Sequence, residues 1–318
     1  MGFLGLSWGE NHIPPVQLLG LSIFFFLPVA QPSLFGWLNG FLAVPVLYIL
    51  QIYGYTTGVA AIRLSLFFVA VAALLMQRLD IYLFTLTLVP LGWTLFRSAQ
   101  KRESAAVSGA KGFFTLALTW LIFWTGYGVI SEVNPYPSLI KALDLGFQQT
   151  LEIYSSKDVG LTPEMVFNLR IITNNLRETV PRLMPGLLAT TVTLTVWMNM
   201  VLGNRFVARS QPAPWGTYDT WKLPEQLVWL PIAAFFAVLV GRGAFQDFGL
   251  CLLLTSAFFY FFQGLAVFFA LLKRWKVPAL ARVLLYGILL IQSYSLILLA
   301  VLGLCDVWFN LRHKSNKR

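Results

Sequence analysis

Charged residues are scarce in this 318-residue chain: they make up 11% of it, against roughly 25% in soluble domains. Apolar residues reach 58%, with 27 Phe and 11 Trp. A water-soluble globule is excluded, because a soluble chain of this length needs a polar surface that these residues cannot supply. The mean hydropathy of +0.72 indicates a protein whose surroundings are largely lipid.

Histidine and cysteine are also scarce, with two residues of each. His12 and His313 lie outside the apolar runs, and Cys251 and Cys305 belong to no CxxC or Cys/His cluster. The chain has no HExxH, GxSxG or GxxxxGK motif and no two acids within one apolar run. These are the patterns that metal sites and catalytic sites require. We therefore expect no enzyme activity, no metal and no cofactor.

Acids are outnumbered by bases, 13 to 23, which gives a net charge of +10. The Lys and Arg residues form short clusters between apolar runs instead of one continuous stripe. This pattern favours basic loops that face anionic lipid headgroups over a nucleic-acid surface. We expect the lipid bilayer as a partner, and no nucleic acid.

Nine apolar runs approach the length of about 20 residues that a membrane-spanning helix needs. They are residues 13–30, 34–53, 58–76, 81–96, 112–130, 185–202, 227–240, 248–272 and 283–304. They predict an all-α transmembrane helical bundle with eight or nine spans. The first, fourth and seventh runs are short or interrupted by proline, so a re-entrant path is an alternative for them.

The runs divide the chain into four predicted regions. An N-terminal membrane bundle (1–130) is followed by an extramembrane helical insert (131–184), a C-terminal membrane bundle (185–304) and a basic tail (305–318). With nine spans, Lys and Arg divide equally between the two sides of the membrane, and the acids of the insert favour the three compact basic loops as the inner side. That assignment places the basic tail outside. Eight crossings with the tail inside remain an alternative.

The insert is predicted to form two amphipathic helices. The first, over 136–154, has an apolar face with helical spacing that consists of Ile140, Leu143, Phe147, Leu151 and Tyr154. The second opens with Thr162 as N-cap and Pro163 at the first helical position. Its apolar stripe consists of Met165, Leu169, Ile172, Leu176, Val180 and Leu183. Such a pair either packs on its own bundle, lies on the membrane interface or binds a partner.

Polar groups inside the apolar runs are the candidate site residues, because lipid makes them costly. The neutral ones that we single out for ligand binding are Tyr260, Gln263, Gln292 and Ser293. Arg63 is a possible intramembrane charge, although it lies near the start of its run, whereas Asp306 lies at the end of the last run, where a charge costs little. Gly36 and Gly40 form a small-xxx-small pair that permits close helix packing.

Four segments carry a family resemblance. They are LMPGLLATTVTLTVWMNMVLGNRFVAR at 183–209, WKLPEQLVWLP at 221–231, FFQGLAVFFALLKRWKVP at 261–278 and LGLCDVWFNLR at 302–312. In their order they resemble the YybS-like family of bacterial multi-pass membrane proteins, which is distantly similar to the S components of energy-coupling-factor transporters and to the rod-shape protein MreD. The resemblance implies an S-component-like core in a bacterial cytoplasmic membrane. The first run, VQLLGLSIFFFLPVA, lacks the AxxxA face through which S components dock their coupling partner.

Two functions follow from this resemblance. A small-molecule binding or transport subunit predicts that Tyr260, Gln263, Gln292 and Ser293 face one internal cavity. A non-transporting scaffold that recruits an envelope or transporter protein predicts that these groups bond only to neighbouring helices, while the insert or the basic loops carry the contacts to the partner.

Overall fold

A computed structural model describes residues 13–155, 162–292 and 294–312. Within these ranges nearly all the backbone is helical and no strand occurs, which confirms the all-α prediction. The helices are α1 (Pro15–Ala30), α2 (Pro32–Phe35), α3 (Ala43–Tyr53), α4 (Tyr55–Leu75), α5 (Leu79–Leu86), α6 (Val89–Gln100), α7 (Ala105–Ser131), α8 (Pro135–Ser155), α9 (Pro163–Val207), α10 (Trp229–Val240), α11 (Ala244–Arg274), α12 (Ala279–Ile291) and α13 (Ser295–Phe309). Three short 3-10 segments join them, Gly36–Phe41, Tyr218–Thr220 and Glu225–Val228.

Five helical segments of the described chain are long and apolar enough to cross a membrane. They are Tyr55–Leu75, Leu79–Gln100, Ala105–Ser131, Pro163–Val207 and Ala244–Arg274. A sixth is added if Pro15–Ala30 and Pro32–Phe41, which meet at 113°, count as one broken span. Four further apolar helices are shorter than 18 residues. The predicted eight or nine spans therefore include several segments that are not full-length helices.

The chain forms two compact units. Unit 1 consists of Met1–Trp120, Thr191–Trp229 and Ser256–Arg318, and unit 2 of Leu121–Thr190 and Leu230–Thr255. The long helices α7, α9 and α11 each contribute residues to both units.

The short helix α3 lies in the core of unit 1. Its Val46, Leu47 and Leu50 are at most 2% exposed. Three helices place a glycine against α3, and a Cβ atom at each would come within 3.0 Å of an α3 side chain. These are Gly58 of α4, Gly92 of α6 and Gly203 of α9, opposite Leu50, Val46 and Leu47 respectively. Small residues let helix backbones approach closely, which is how helices associate in lipid.

The second predicted run, 34–53, is not one helix. Its first part, Gly36–Phe41, is a 3-10 segment, and only Ala43–Tyr53 is α-helical. Two glycines and an asparagine in GWLNGF are poor helix formers and weaken the α-helix there. Arg78 compensates for the break that precedes this segment, because its Nη1 donates to the carbonyl oxygens of Val29 and Ala30 at the end of α1. Broken backbone at membrane depth is tolerated where protein groups satisfy it.

The last predicted run, 283–304, is also broken. Helix α12 ends at Ile291, and α13 begins at Ser295. Gln292 between them has extended backbone dihedrals, φ −82° and ψ 114°. The interruption coincides with the polar sequence QSYS at 292–295. One predicted span is therefore two short helices, of 13 and 15 residues.

Unit 2 contains the two predicted insert helices. Helix α8 spans Pro135–Ser155, and the residues of its predicted face from Ile140 to Leu151 are half-buried. Helix α9 begins at Pro163, and the Thr162 hydroxyl accepts a hydrogen bond from the Met165 amide at 3.3 Å, which confirms the predicted N-cap.

No helix end marks the predicted boundary between the insert and the sixth run. Helix α9 continues without interruption for 45 residues, with Pro181 and Pro185 inside it. Each proline removes one backbone donor, yet neither ends the helix. At Gly186, a Cβ atom would lie 2.7 Å from the Cα of Cys251, so α9 and α11 cross closely beside these prolines. We infer that this close contact within unit 2 stabilises the proline-containing stretch, as neighbouring helices do in membranes.

Candidate functional site

Gln263 on α11 is the centre of a buried polar group in unit 1, which we call the Gln263 cluster: Gln263, Asp306, Arg312 and the backbone of 219–223. The Gln263 side chain is 3% exposed. Its Nε2 donates to the Gly303 carbonyl at 3.1 Å and to Asp306 Oδ2 at 3.3 Å. Its Oε1 accepts from the Leu223 amide at 3.0 Å. Both ends of the amide are therefore bonded to protein.

Asp306 and Arg312 form an ion pair next to Gln263. Arg312 Nε lies 3.1 Å from Asp306 Oδ2, with side chains that are 13% and 0% exposed. Arg312 Nη1 also donates to the carbonyls of Asp219 (3.0 Å) and Trp221 (2.5 Å). The expectation that Asp306 lies where a charge costs little was wrong. Its carboxylate is fully buried, and burial of a charge requires a partner such as Arg312.

The segment 208–224 is attached to the helices by aromatic side chains. The Tyr218 hydroxyl donates to the Phe262 carbonyl at 2.6 Å and accepts from Trp197 Nε1 at 3.2 Å. The Trp197 ring stacks on the Phe262 ring at 4.3 Å. Trp221 Nε1 donates to the Trp215 carbonyl at 2.9 Å. These contacts connect the segment to α9 and α11 through polar and stacking interactions together.

Trp215 connects the same segment to the start of α7. Its indole Nε1 donates to Ser108 Oγ at 2.8 Å, and Ser108 is bonded to Ser98 of α6 at 2.7 Å. Asn204 of α9 accepts from the Trp215 amide at 3.1 Å and donates to the Gly216 carbonyl at 2.7 Å. The segment 208–224 is thus a junction where α6, α7, α9, α11 and the residues after α13 meet.

Ionisable groups of this junction have shifted pKa values. Burial raises the pKa of the Tyr218 phenol, and the Trp197 hydrogen bond offsets this in part. Burial also raises the pKa of Asp219, but hydrogen bonds from Thr217 and Lys273 outweigh it and the net pKa is lowered. A lowered carboxyl pKa means stabilisation that is present above its ordinary pKa near 4 and lost as the pH falls through the folded-state value. Hydrogen bonds from Lys111 and Ser98 lower the pKa of Glu103.

Contacts within unit 1 bring Arg312, in the first part of the basic tail, to the basic segment 208–224. Lys273 at the end of α11 pairs with Asp219 at 3.2 Å, and Arg312 bonds to the Asp219 carbonyl. The nine-span count predicted the tail on the opposite side. The Asp219 contacts place Arg312, the last described residue, beside the basic segment 208–224, as the alternative with the tail and the basic loops on one side requires.

Cysteine labelling in sealed vesicles tests this arrangement. In a Cys251→Ala/Cys305→Ala background, we expect Gln211→Cys and Ser315→Cys to react with an impermeant maleimide from the same face. Asp80→Cys should react from the other face, because the 21 residues of α4 cover about 31 Å. Labelling of residues 211 and 315 from opposite faces would contradict the shared side.

Three of the four residues predicted for ligand binding lie within the described part of the chain, and they do not line one enclosed site. Tyr260 and Gln263 are buried on α11, at 2% and 3% exposure. Gln292 is exposed at the end of α12, so it does not line an enclosed site with them. Ser293 lies outside the described residues. The structure brings Gln263 together with Asp306 and Arg312 instead.

The other singled-out residues lie apart from the Gln263 cluster. Arg63 is exposed in the first half of α4. Gly36 and Gly40 lie in the 3-10 segment, where an added Cβ would meet nothing within 4 Å, so the predicted close helix packing at this pair was wrong. The 3-10 geometry turns Gly36 and Gly40 toward open space. Close glycine contacts occur at other positions. The Gly40 carbonyl does accept a hydrogen bond from Asn199 Nδ2 at 2.6 Å.

Both ends of the Gln263 amide bond to protein, whereas Asp306 Oδ1, Arg312 Nε and Arg312 Nη2 make no hydrogen bond within the described residues. The bonds of Gln263 connect helices to a loop and leave Gln263 no group to offer a ligand. Among the described residues no group of three or more His, Cys, Asp or Glu side chains has the arrangement of a metal site. Both cysteines are free thiols.

Unit 1 also has a cleft of about 590 Å³. Its walls come from α1, the 3-10 segment, α3 and the end of α9. The lining side chains are Phe24, Trp37, Leu38, Phe41, Val44, Pro45, Tyr48, Leu202, Phe206, Arg209 and Ser210. Arg209 is the charged member of this set, and the remainder are almost all apolar.

Sequence reasoning missed Arg312, Tyr218 and the anchoring tryptophans. The closing motif LGLCDVWFNLR contained a signal, because an acid and a base six residues apart flank the end of an apolar helix. Such a pair can approach only if the chain turns after the helix. Asn310 provides that turn, with a left-handed φ of 44°, which asparagine tolerates better than most residues.

Comparisons with known proteins identify the family and go no further. No curated protein and no solved structure matches the chain. A family model described as "Predicted membrane protein (DUF2232)" matches residues 20–307. With its apolar helices and a match over most of its length, the chain belongs to the DUF2232 family of predicted membrane proteins.

Proposed function

We propose that this membrane protein is a non-transporting scaffold that recruits a protein partner through the helical hairpin of α8 and the first part of α9. The observation that carries the proposal is an apolar stripe on α9 that its own chain leaves uncovered. We call it the outer stripe: Met165, Ile172 and Leu176. These side chains are 56%, 56% and 42% exposed. Exposed apolar patches on ordered elements mark interaction surfaces.

The hairpin is rigid enough to present this stripe. Arg177 of α9 donates to Asp144 of α8 through two parallel bonds, Nε to Oδ1 at 2.5 Å and Nη2 to Oδ2 at 3.1 Å. Bidentate pairs of this kind specify orientation as well as attraction. Thr173, at 5% exposure, lies on the covered side of α9. The outer stripe lies beside this covered side and remains accessible.

The length of α9 supports a surface outside the hydrocarbon. Its 45 residues measure about 68 Å along the helix, roughly twice the 30 Å of the hydrocarbon layer. Its first part also contains five of its charged residues: Glu164, Arg170, Arg177, Glu178 and Arg182. A helix that crosses the membrane once therefore extends well beyond it. An apolar stripe on the part outside the membrane is unfavourable in water unless another surface packs against it.

The alternative, a binding or transport subunit like an S component, receives less support. It relied on a polar cavity shared by Tyr260, Gln263, Gln292 and Ser293. The polar atoms of Gln263 are bonded to protein, and Gln292 is exposed. No named relative favours either function. We further propose that the protein is not an enzyme, since none of the groups described here is arranged for a catalytic step, and that its site is a bacterial cytoplasmic membrane.

Cysteine protection tests the scaffold. Ile172→Cys reports on the outer stripe, and Asn174→Cys, two residues along on an exposed part of the helix surface, is the matched control. Both are placed in the Cys251→Ala/Cys305→Ala background and treated with an impermeant maleimide. Labelling is compared between native membranes and nanodiscs that contain only this protein and lipid.

We expect position 172 to be protected about tenfold or more in native membranes and reactive in nanodiscs, with position 174 reactive in both. Protection at 172 in both preparations would mean that lipid covers the stripe, and reactivity in both would mean that nothing does. Either result would overturn the proposal. A Leu176→Cys variant repeats the measurement one helical turn away.

A further inference from the structure

The cleft of unit 1 is built for an apolar chain along most of its length. Phe24, Phe41 and Tyr48 supply aromatic walls, and Trp37 stands at the rim with 64% of its surface exposed. The Trp37 and Phe41 rings meet edge to face at 6.0 Å. The volume of about 590 Å³ is within the range of small-molecule sites, about 300–1,000 Å³. Since the protein belongs to a membrane family, we expect lipid to be within reach of this rim.

One end of the cleft differs from the rest, because Arg209 and Ser210 lie there, directly after α9 ends at Val207. The Arg209 guanidinium is placed 5.0 Å from the centroid of the Phe206 ring, a cation–π geometry that orients it over the cleft wall. Among the described residues, Arg209 pairs with no carboxylate. An oriented cation without an acidic partner is complementary to an anion.

We propose that an anionic phospholipid from the surrounding bilayer occupies this cleft, with an acyl chain between the aromatic walls and its phosphate at Arg209 and Ser210. The inference goes beyond the scaffold role and does not depend on it, because it concerns unit 1 alone. The position of Arg209 fits a headgroup, since the basic residues of 205–222 and the end of α11 lie at the same end of unit 1. Arginine binds phosphate oxygens in a fork geometry, and Ser210 adds a hydroxyl donor.

Native mass spectrometry of the purified full-length chain tests this inference. The protein is titrated with phosphatidylglycerol and with phosphatidylcholine of the same acyl chains, which differ only in headgroup charge. The variants are Arg209→Gln, the matched Arg205→Gln in the last turn of α9 and outside the cleft lining, and Leu202→Trp, which fills the cleft.

The wild type should bind phosphatidylglycerol about fivefold more tightly than phosphatidylcholine, the effect of one basic residue near an anionic surface. Arg209→Gln should abolish this preference and Arg205→Gln should preserve it. Leu202→Trp should weaken the binding of both lipids. If Leu202→Trp fails to fold, two results suffice without it: the wild-type preference for phosphatidylglycerol and its loss in Arg209→Gln. Arg209 is exposed, so its replacement leaves the packing intact.

Three results would overturn the inference. Equal binding of the two lipids would make the cleft a nonspecific apolar contact. Equal effects of the two arginine substitutions would mean diffuse electrostatic attraction. Displacement of phosphatidylglycerol by millimolar inorganic phosphate would identify a site for a free anion in place of a lipid.

Discussion

Replacement of Asp306 by alanine is expected to destabilise the protein by about 3–5 kcal/mol, the typical cost when one partner of a buried ion pair is removed. The substitution leaves Arg312, only 13% exposed, without its carboxylate and takes one acceptor from Gln263. The measurement is thermal unfolding in detergent, followed as the monodisperse fraction in size-exclusion chromatography. We expect a large loss of folded protein after mild heating.

The control for this prediction is an exposed ion pair. Lys222 and Glu225 lie 3.2 Å apart, with side chains that are 36% and 70% exposed. Such pairs contribute about 0–1 kcal/mol, so Glu225→Gln should leave the unfolding temperature nearly unchanged. The double variant Asp306→Asn/Arg312→Gln removes both charges and should recover part of the loss. Equal stability of Asp306→Ala and Glu225→Gln would show that the buried pair has no structural role.

Gly303→Ala is expected to destabilise the contact between α11 and α13 by about 3 kcal/mol or more, the upper range for overpacking. An added Cβ at Gly303 would overlap the Tyr260 carbonyl, and one at Gly264 would overlap the Leu299 carbonyl. Backbone atoms of a helix cannot move aside as a flexible side chain does. The two helices must therefore separate, which also pulls Asp306 away from Gln263. The same size-exclusion assay measures the loss.

Gly287→Ala is the matched control, because an added Cβ there meets nothing within 4 Å. In a helix interior, alanine is favoured over glycine by about 0.5–1 kcal/mol. This variant should therefore be neutral or slightly more stable. If Gly303→Ala and Gly287→Ala behave alike, the close crossing at Gly264 and Gly303 does not hold the two helices together.

The ion pair and the glycine crossing act on the same region. Gln263 and Gly264 are neighbours on α11, and Gly303 and Asp306 lie one turn apart on α13. Close approach of the two backbones at the glycines is what lets Gln263 reach the Gly303 carbonyl at 3.1 Å. The polar bonds and the close packing are therefore expected to be coupled, so a Gly303→Ala/Asp306→Ala double variant should cost less than the sum of the single changes.

The sequence predicted those parts of the fold that depend on local pattern. The N-cap at Thr162 and the helix start at Pro163 were correct, since capping chemistry operates within a few residues. The predicted face of α8 is half-buried from Ile140 to Leu151, as helical periodicity indicated, but Tyr154 at its end is 46% exposed. The broken runs were harder. The run 34–53 was expected to be one helix, whereas the break after α1 involves Arg78, about 50 positions away, which donates to the carbonyls of Val29 and Ala30.

The residues of the Gln263 cluster were also predictable only in part from the sequence. Polarity in an apolar run was enough to single out Gln263, because lipid makes an unpaired amide costly. Its partners were not predictable, since Leu223, Gly303 and Asp306 are 40 or more residues away. Gln292, which has the same side chain in a similar run, is exposed instead. Residue type and hydropathy are alike at the two positions, and only packing distinguishes them.

Composition and the lengths of the apolar runs sufficed to place this chain in a membrane as an all-α protein, because the cost of moving polar groups into lipid is paid residue by residue. Tertiary structure decided which runs form whole helices, where Arg312 after the last helix makes its contacts and which polar groups bond to each other. These properties arise from contacts between segments far apart in the chain, such as Arg312 with Trp221. Their free energies depend on distance and burial, which no local pattern encodes.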